Sequence, residues 1–430
     1  MRTIITLLLC CLATLTALSA RADAGFVEEE IMLPAITQVS IDLTQQNSSL
    51  WARIRNGFAM QDIDDDLTLK YQEFYFSNPA YLKRMVSRAR PFLFHIVEEI
   101  EKRNMPTELA FLPMVESAFN PNAYSHAKAS GLWQFIPSTG KRFYLEQNYW
   151  VDERRDIAAS TEAALAYLQN IYDMHGDWHL ALASYNWGEG AVGRAVSKNE
   201  GLDLPTDYLS LKVPNETRHY VPKLQALKNI FGDPFLLEYL GIDDIPNRPI
   251  VASVQIKEPM DLKTAAALAG LSVDDFQRFN PAHNRAVVMS DSEVLLPADK
   301  IDAFLLNLEN YEGPLNKLFV VRLKKTTSLK QFAAANKLNL ASLADINGVP
   351  QKASIRAGSA LLVPREVKGA KTLDAFLEEH GTPELKIKVA NKKKVKKRKK
   401  RVAKKNNSQK ILAILRFSTV NDKTFTVDFD

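Results

Sequence analysis

The sequence predicts a mainly α-helical body, then two small strand–helix–helix–strand modules and a basic tail. Three observations carry that expectation. Between residues 78 and 233 apolar residues recur at helical spacing with few strand signals. Residues 250–366 repeat themselves in a fixed register. Lys392 to Lys405 then hold eleven cations in fourteen residues. A chain of 430 residues exceeds one small domain, so several units are expected.

The first 24 residues read as a cleaved secretory leader, with an uncleaved membrane anchor as the alternative. Arg2 gives a basic start, Ile4 to Leu18 an apolar stretch too short to span a bilayer comfortably, and Ala20, Ala22 and Ala24 give small-residue cleavage sites. Leu9 before Cys10 argues against a lipid anchor. Both cysteines, Cys10 and Cys11, fall inside the leader. The mature chain would then have no disulfide, no thiol nucleophile and no thiolate metal site. An exported protein of the periplasm or cell envelope is the expectation.

Residues 25–90 read as an N-terminal helical extension. Leu50 to Phe58 suits one short helix. Asp62 to Asp66 lacks the glycine and glutamate of a calcium loop and reads as a solvated acidic turn. Asn78-Pro79 opens a helix with Tyr81, Leu82, Met85 and Ala89 on its buried face. Pro91 restarts the pattern through Phe92, His95, Ile96, Glu99 and Ile100, and Asn104 stops it.

The stretch Glu108 to Gln134 carries the chemistry. An apolar run, Leu109 to Val115, ends directly on Glu116. A carboxylate there is either a helix-end charge facing water or a group pressed against an apolar wall. In the second case desolvation raises its pKa, and a carboxylic acid protonated near neutral pH can donate to a leaving oxygen. Asn120, Pro121 and Asn122 form turns, and Ser130, Gly131, Trp133 and Gln134 follow. Aromatic faces beside amides are what a sugar cleft needs.

Ser160 is the expected cap of the next helix, with Ala164, Leu165, Leu168, Ile171 and Tyr172 as its stripe and Gly176 as its end. Trp178 to Tyr185 is a short helix leading into Asn186-Trp187-Gly188-Glu189-Gly190, a tight loop whose backbone would approach a ligand. His175 and His179 lack the glutamate of the zinc-protease pattern, so no metal site is expected. No phosphate loop, dinucleotide fingerprint or nucleophile elbow occurs.

The repeat is numerically tight. Leu262 to Asn280 and Leu329 to Asn347 are both eighteen positions, and Asn280 to Pro297 and Asn347 to Pro364 are both seventeen. Modules of this size at 250–300 and 317–366 bind more often than they catalyse, and a tandem pair suits a repetitive polymer. The tail from 367 onward is expected to be disordered. The whole chain carries +5, so removing the eleven tail cations leaves the remainder near −6. The tail would either meet an anionic envelope polymer or membrane surface or simply solubilise the chain, and in an exported protein nucleic acid is not the expected partner.

Four ordered motifs give the helical body a family. Glu116-Ser117, Gly131-Leu132-Trp133-Gln134, Ser184-Tyr185-Asn186-Trp187-Gly188 and Glu216-Thr217-Arg218-His219-Tyr220-Val221 resemble the signatures of the lytic murein transglycosylases with the soluble-lytic-transglycosylase, lysozyme-like domain. Within that family they are similar to the membrane-bound lytic murein transglycosylase D group. The resemblance implies an α+β lysozyme-like domain over residues 91–233. The repeats resemble LysM modules, which bind N-acetylglucosamine-containing glycans. The second is the better match, and Gln255 to Pro259 make the first degenerate.

What the resemblance implies is cleavage of the β-1,4 bond between N-acetylmuramic acid and N-acetylglucosamine in peptidoglycan, without water, leaving a 1,6-anhydro end. Glu116 would be the single catalytic acid, with no cofactor. Ser125, Gln134, Tyr185, Asn186 and Glu216 would bind substrate, with Tyr185 beside Glu116. Trp133 and Trp187 would add stacking surface. Two other readings stay open. One is a hydrolysing muramidase, with Asp152, Asp156 or Glu189 as second acid. The other is a non-catalytic wall-binding protein.

Overall fold

A computed structural model describes residues 49–387. The expected leader and the Lys392–Lys405 block lie outside the described residues. From 50 to 240 the regular elements of the described chain are helices joined by loops, and its first strand begins at Val251.

Local chemistry sets the helix limits. Ser49 caps Leu50–Asn56 by accepting from the amides of Trp51 and Ala52. The acidic segment at 62–66 is more than a solvated turn. Asp65 accepts from Leu67 N at 2.8 Å and opens a helix over Asp66–Ser77, which the weak apolar periodicity does not reveal. Pro79–Ala89 follows, with Leu82, Met85 and Ala89 buried as their spacing predicts. Asn78 does not cap it through its side chain. Its Nδ2 donates instead to Phe74 O at 2.8 Å and closes the preceding helix.

Leu93–Lys102 is the next helix. The longest, Ile157–His175, is capped by Asp156 rather than Ser160. Asp156 accepts from Ala159 N at 2.9 Å, and Ser160, already in the first turn, donates to Asp156 O. Gly176 ends it in the left-handed region, where a residue without a Cβ bears no penalty. Trp178–Trp187 comes next, capped by Asp177. The glycine-rich segment after it is not a loop. Gly188, at φ 100°, is a single break, and Glu189–Glu200 continues as helix. Asn215–Arg218, Tyr220–Gly232 and Pro234–Tyr239 complete the body. Trp51, Phe111 and Phe231 pack ring against ring at its centre, adding geometry-specific contacts to their area burial.

Both repeats form the predicted βααβ units. In the first, Val251–Ile256 pairs antiparallel with Ser292–Pro297, around helices Leu262–Leu268 and Val273–Phe279. In the second, Phe319–Arg322 pairs with Ala360–Val363, around Leu329–Ala335 and Leu340–Ile346. The repeated asparagine explains the register. Asn280 accepts from Leu295 N at 2.7 Å and donates to Leu295 O at 2.8 Å. Asn347 makes the same two bonds to Leu362, both at 2.8 Å. One amide thus satisfies both backbone groups of a strand residue from the end of a helix.

Each module runs past its expected limit. The helix Ile301–Glu309 sends Phe304, fully buried, into the core of the first. In the second, Ala370–Thr372 adds a third strand beside Phe319–Arg322, and helix Leu373–His380 buries Leu373 and Phe376. Residues 367–387 are therefore folded, not tail, because their apolar residues recur at helical spacing ahead of the basic block. The modules also dock on the body. Tyr149 and Trp150 pack with Val287, Val320, Ile346 and Leu362. Arg285 lies 4.4 Å over the Tyr149 ring, and Arg155 donates to Asn284 Oδ1 at 2.6 Å.

Candidate active site

Glu116 lies in the last turn of the short helix Leu112–Ser117. The residues before it, Leu109 to Leu112 and Met114, are almost wholly buried, which sets the carboxyl against an apolar floor. The helix stops because Ala118 and Phe119 both adopt left-handed backbone, at φ 51° and 56°. Two such non-glycine residues in succession are strained, a state that surrounding structure must hold. Ser117 helps, accepting from Asn120 N at 3.2 Å.

Glu116 itself is half-buried. Tyr220 donates its hydroxyl to Glu116 Oε1. Burial pushes the carboxyl up to about 7, and the charge of Glu216 adds to the rise. The Tyr220 bond and the Lys223 charge oppose it without cancelling it. Half of such a group is a proton donor at neutral pH, and the other half an acceptor.

The four motifs close into a chain of side-chain contacts. The fourth meets the first through Tyr220 and Glu116. The fourth meets the third through Thr217, whose hydroxyl donates to Asn186 Oδ1 at 2.8 Å. The third meets the second through Tyr185, whose hydroxyl donates to Trp133 O at 2.8 Å. Tyr185 is therefore bonded to backbone, while its ring lies close enough to feel the Glu116 charge. The second motif turns at Gly131, where φ is 85° and an added Cβ would lie 1.8 Å from Arg154 O. Only glycine fits that approach.

The remaining sequence candidates fall as follows. Gln134 donates to Gly131 O at 2.8 Å and holds its own turn. Ser125 accepts from Ala129 N at 3.0 Å, closing the turn over 125–129. Glu216 is exposed, beside Glu116 rather than paired with Arg218, which turns to Leu209 O and the Tyr208 ring. Trp133 contradicts its expected role. It is fully buried and donates Nε1 to Thr161 Oγ1 at 3.1 Å, so it offers no stacking face. Trp187 is half-buried against the core. His175 and His179 turn to separate partners, Ser184 Oγ and Gln61 O.

Each of the three acids considered as a second carboxylate has another task. Asp152 accepts from Arg154 Nη2 at 2.7 Å. Asp156 caps the long helix. Glu189 binds Arg142 Nη1 and the Tyr167 hydroxyl, both at 2.6 Å, and these partners hold its carboxyl below the usual range. Tyr220 is the residue that motif reading passes over. It stands inside a recognised motif, but nothing local to 220 shows its hydroxyl reaching across 104 residues to Glu116.

Residues 95–204 match the family model of the transglycosylase SLT domain. The chain carries a transglycosylase SLT domain. Residues 251–313 match a second model, the LysM-like domain of lytic transglycosylase MltD. The transglycosylase domain is thus followed by a module that matches a family model of its own. The match runs through the helix at 301–309, in keeping with the burial of Phe304.

Membrane-bound lytic murein transglycosylase D of Escherichia coli strain K12 is 39% identical over 235 residues, 54% of this chain and 52% of that protein. Membrane-bound lytic murein transglycosylase C of Glaesserella parasuis is 28% identical over 177 residues, 35% of this chain and 48% of that protein. The chain spans about half the length of the curated relatives it matches. A solved structure, the 70 kDa soluble lytic transglycosylase of Escherichia coli, covers 42% of this chain and 31% of its own at 20% identity, with a TM-score of 0.27. No helix among the described residues is long and apolar enough to cross a membrane.

Proposed function

We propose that this protein is a lytic murein transglycosylase that cleaves the N-acetylmuramic acid to N-acetylglucosamine bond of peptidoglycan without water. The observation that carries the proposal is the setting of Glu116. Its carboxyl is raised to about 7 by burial and bonded by one hydroxyl, and among the described residues the acid whose charge adds to the rise is the exposed Glu216. A two-carboxylate hydrolase needs a second acid committed to the reaction. Asp152, Asp156 and Glu189 are bound elsewhere.

One acid suffices for an intramolecular displacement. Protonated Glu116 gives its proton to the bridging oxygen as the bond to the muramic anomeric carbon breaks. N-acetylglucosamine leaves with that proton. The muramic C6 hydroxyl then bonds the anomeric carbon, and the Glu116 carboxylate takes the hydroxyl proton. The acid is restored and the product is the 1,6-anhydro end. A pKa near 7 suits both halves of that cycle. Tyr220 steadies the carboxylate stage, and Glu216 favours the protonated one.

Tyr185 and Asn186 lie in the same contact chain, which supports substrate-binding roles for them, and Ser125, Gln134 and Glu216 are assigned to substrate by their positions in and around the motifs. The domain scheme is a helical extension to residue 90, a lysozyme-like catalytic unit over 91–233 and two glycan-anchoring modules behind it. The leader and the names of the relatives support export to the envelope.

The test is digestion of purified peptidoglycan by the protein and by Glu116→Gln, with mass spectrometry of the muropeptides. Anhydro ends from the first and none from the second are expected. Products one water heavier, with reducing ends, would make it a hydrolase and turn attention to Glu216. Binding without products would make it an anchor.

A further inference from the structure

One cation beside Glu116 has no carboxylate of its own. Lys223 stands three residues past Tyr220 on the helix Tyr220–Gly232, so it shares a side of that helix with the hydroxyl that donates to Glu116. Its charge reaches Glu116, yet among the described residues no acid lies within ion-pair distance of its half-buried side chain. Lys228, five residues on, shows the contrast, paired with Asp62 at 2.9 Å and with Glu108 at 3.1 Å. The arginines near the motifs are also committed, Arg218 to Leu209 O and Arg142 to Glu189.

What holds Lys223 comes from outside the motifs. Its Nζ lies 5.5 Å from the centre of the Tyr71 ring, and the Tyr71 hydroxyl bonds His219 Nδ1 at 2.9 Å. The Tyr71 and His219 rings meet edge to face, with centroids 5.8 Å apart. Tyr71 belongs to the helix Asp66–Ser77 of the N-terminal extension. It thus grips the chain on both sides of Tyr220, at the residue before it and at the residue three after. A ring face holds an ammonium in place without neutralising it. A cation fixed in this way, with no countercharge, favours an anion brought by substrate.

With Glu116 acting at the muramic anomeric carbon, the sugar before it carries a lactyl ether. That group ends in a carboxylate, or in a peptide with carboxylates of its own. We propose that Lys223, seated on Tyr71, binds a carboxylate carried by the muramic lactyl group and so selects acidic strands over neutral ones. The inference rests on the peptidoglycan reading above. Exposed Glu216, whose charge also reaches Glu116, repels such an anion, so the attraction has to come from Lys223. Tyr71 acts through Lys223 and is a positioning residue.

The experiment measures kcat/KM of the full chain on soluble glycan strands, either bearing their peptides or stripped of them. Each is used with its carboxyls free and with them converted to amides by carbodiimide and ammonium. Assay at about pH 5.5 keeps the substrate carboxylates ionised and Glu116 protonated, so a change in the Glu116 pKa does not enter. The parent should favour free over amidated carboxyls by roughly five- to tenfold, chiefly through KM. Lys223→Met should bring that ratio close to one. Tyr71→Leu should bring it partway, and Tyr71→Phe, which keeps the ring, should hold it at the parent value. The ratio compares two substrates on one protein, so a partly unfolded variant still reports it. A Lys223-dependent ratio on stripped strands places the carboxylate on the lactyl group itself, and one on peptide-bearing strands alone places it on the peptide. A parent ratio of one on both would overturn the proposal, as would a ratio that persists in Lys223→Met, which would put the discrimination on other cations. Reducing ends in place of anhydro ends would end the transglycosylase reading and leave this ratio measurable, so the two failures stay distinct.

Discussion

Glu108 and Glu116 stand eight residues apart at the two ends of one apolar run, and they meet burial in opposite ways. Glu108 is fully buried and fully answered. It accepts from Ala59 N at 3.1 Å and Met60 N at 2.9 Å, and Lys228 Nζ lies 3.1 Å away. Glu116 is less buried but has one hydroxyl donor and an acidic neighbour. Burial alone does not make a proton donor. What the surroundings supply to the charged form decides whether a carboxylate holds the fold or exchanges protons.

Substitution at the two positions should separate stability from activity. Glu116→Gln should lower turnover by about 10²–10⁴, the usual worth of a general acid, while the protein stays folded. Glu108→Gln should instead lower unfolding stability by about 1–3 kcal/mol in urea melts, because Ala59 N and Met60 N lose a buried charged acceptor, while Lys228 keeps Asp62 and Met60 O. If Glu108→Gln kept stability and lost only turnover, the distinction would fail.

Tyr220→Phe removes the donor to the Glu116 carboxylate. A hydrogen bond to a charged group is worth about 1.5–3 kcal/mol, so activity should fall by roughly ten- to a hundredfold. The bond favours the ionised form, so its loss raises the Glu116 pKa. Activity needs the protonated acid and is lost as pH rises through about 7 in the parent. That alkaline limb should move to higher pH in Tyr220→Phe. A limb that stayed in place would leave Tyr220 a packing residue.

The stability of the parent should carry the same signature. Glu116 holds its proton more tightly folded than unfolded, about 7 against an ordinary 4.5. The native state is therefore penalised progressively as pH rises from about 4.5 through about 7. Glu116→Gln escapes that penalty and should gain on the parent by about 1–3 kcal/mol between pH 5 and pH 8. Thermal melts at the two values measure it, and a constant difference would contradict the assignment.

The smallest effects belong to the repeats. Asn280→Ala and Asn347→Ala each leave a strand residue's N–H and C=O without their partner. Each should cost about 1–3 kcal/mol, and by similar amounts, since the bonding is the same. Unequal losses would show that the second module, with its added strand and helix, tolerates the change differently.

Much of this was legible in the chain itself. The apolar run ending on Glu116 pointed to the acid proposed here as the proton donor, and the shared spacing to Asn280 and Asn347 exposed the modules, because both signals are local or periodic. Helices with weak apolar stripes, Asp66–Ser77 and Glu189–Glu200, were not legible, since tertiary packing and a cap decide them. The cap at Asp156 was hidden because Ser160 is an equally good residue type one turn on. Trp133 reads as a cleft aromatic until its neighbours bury it. Tyr220 depends on a contact across 104 residues, which no spacing rule encodes.

The most direct test is a carbon-13 titration of glutamate-labelled protein, with the Glu116 carboxyl assigned by its absence in Glu116→Gln. A midpoint near 7 that rises in Tyr220→Phe is the predicted result. A midpoint near the ordinary 4.5 in the parent would contradict the account, leaving Glu116 ionised at neutral pH and the proton for the leaving oxygen without a source.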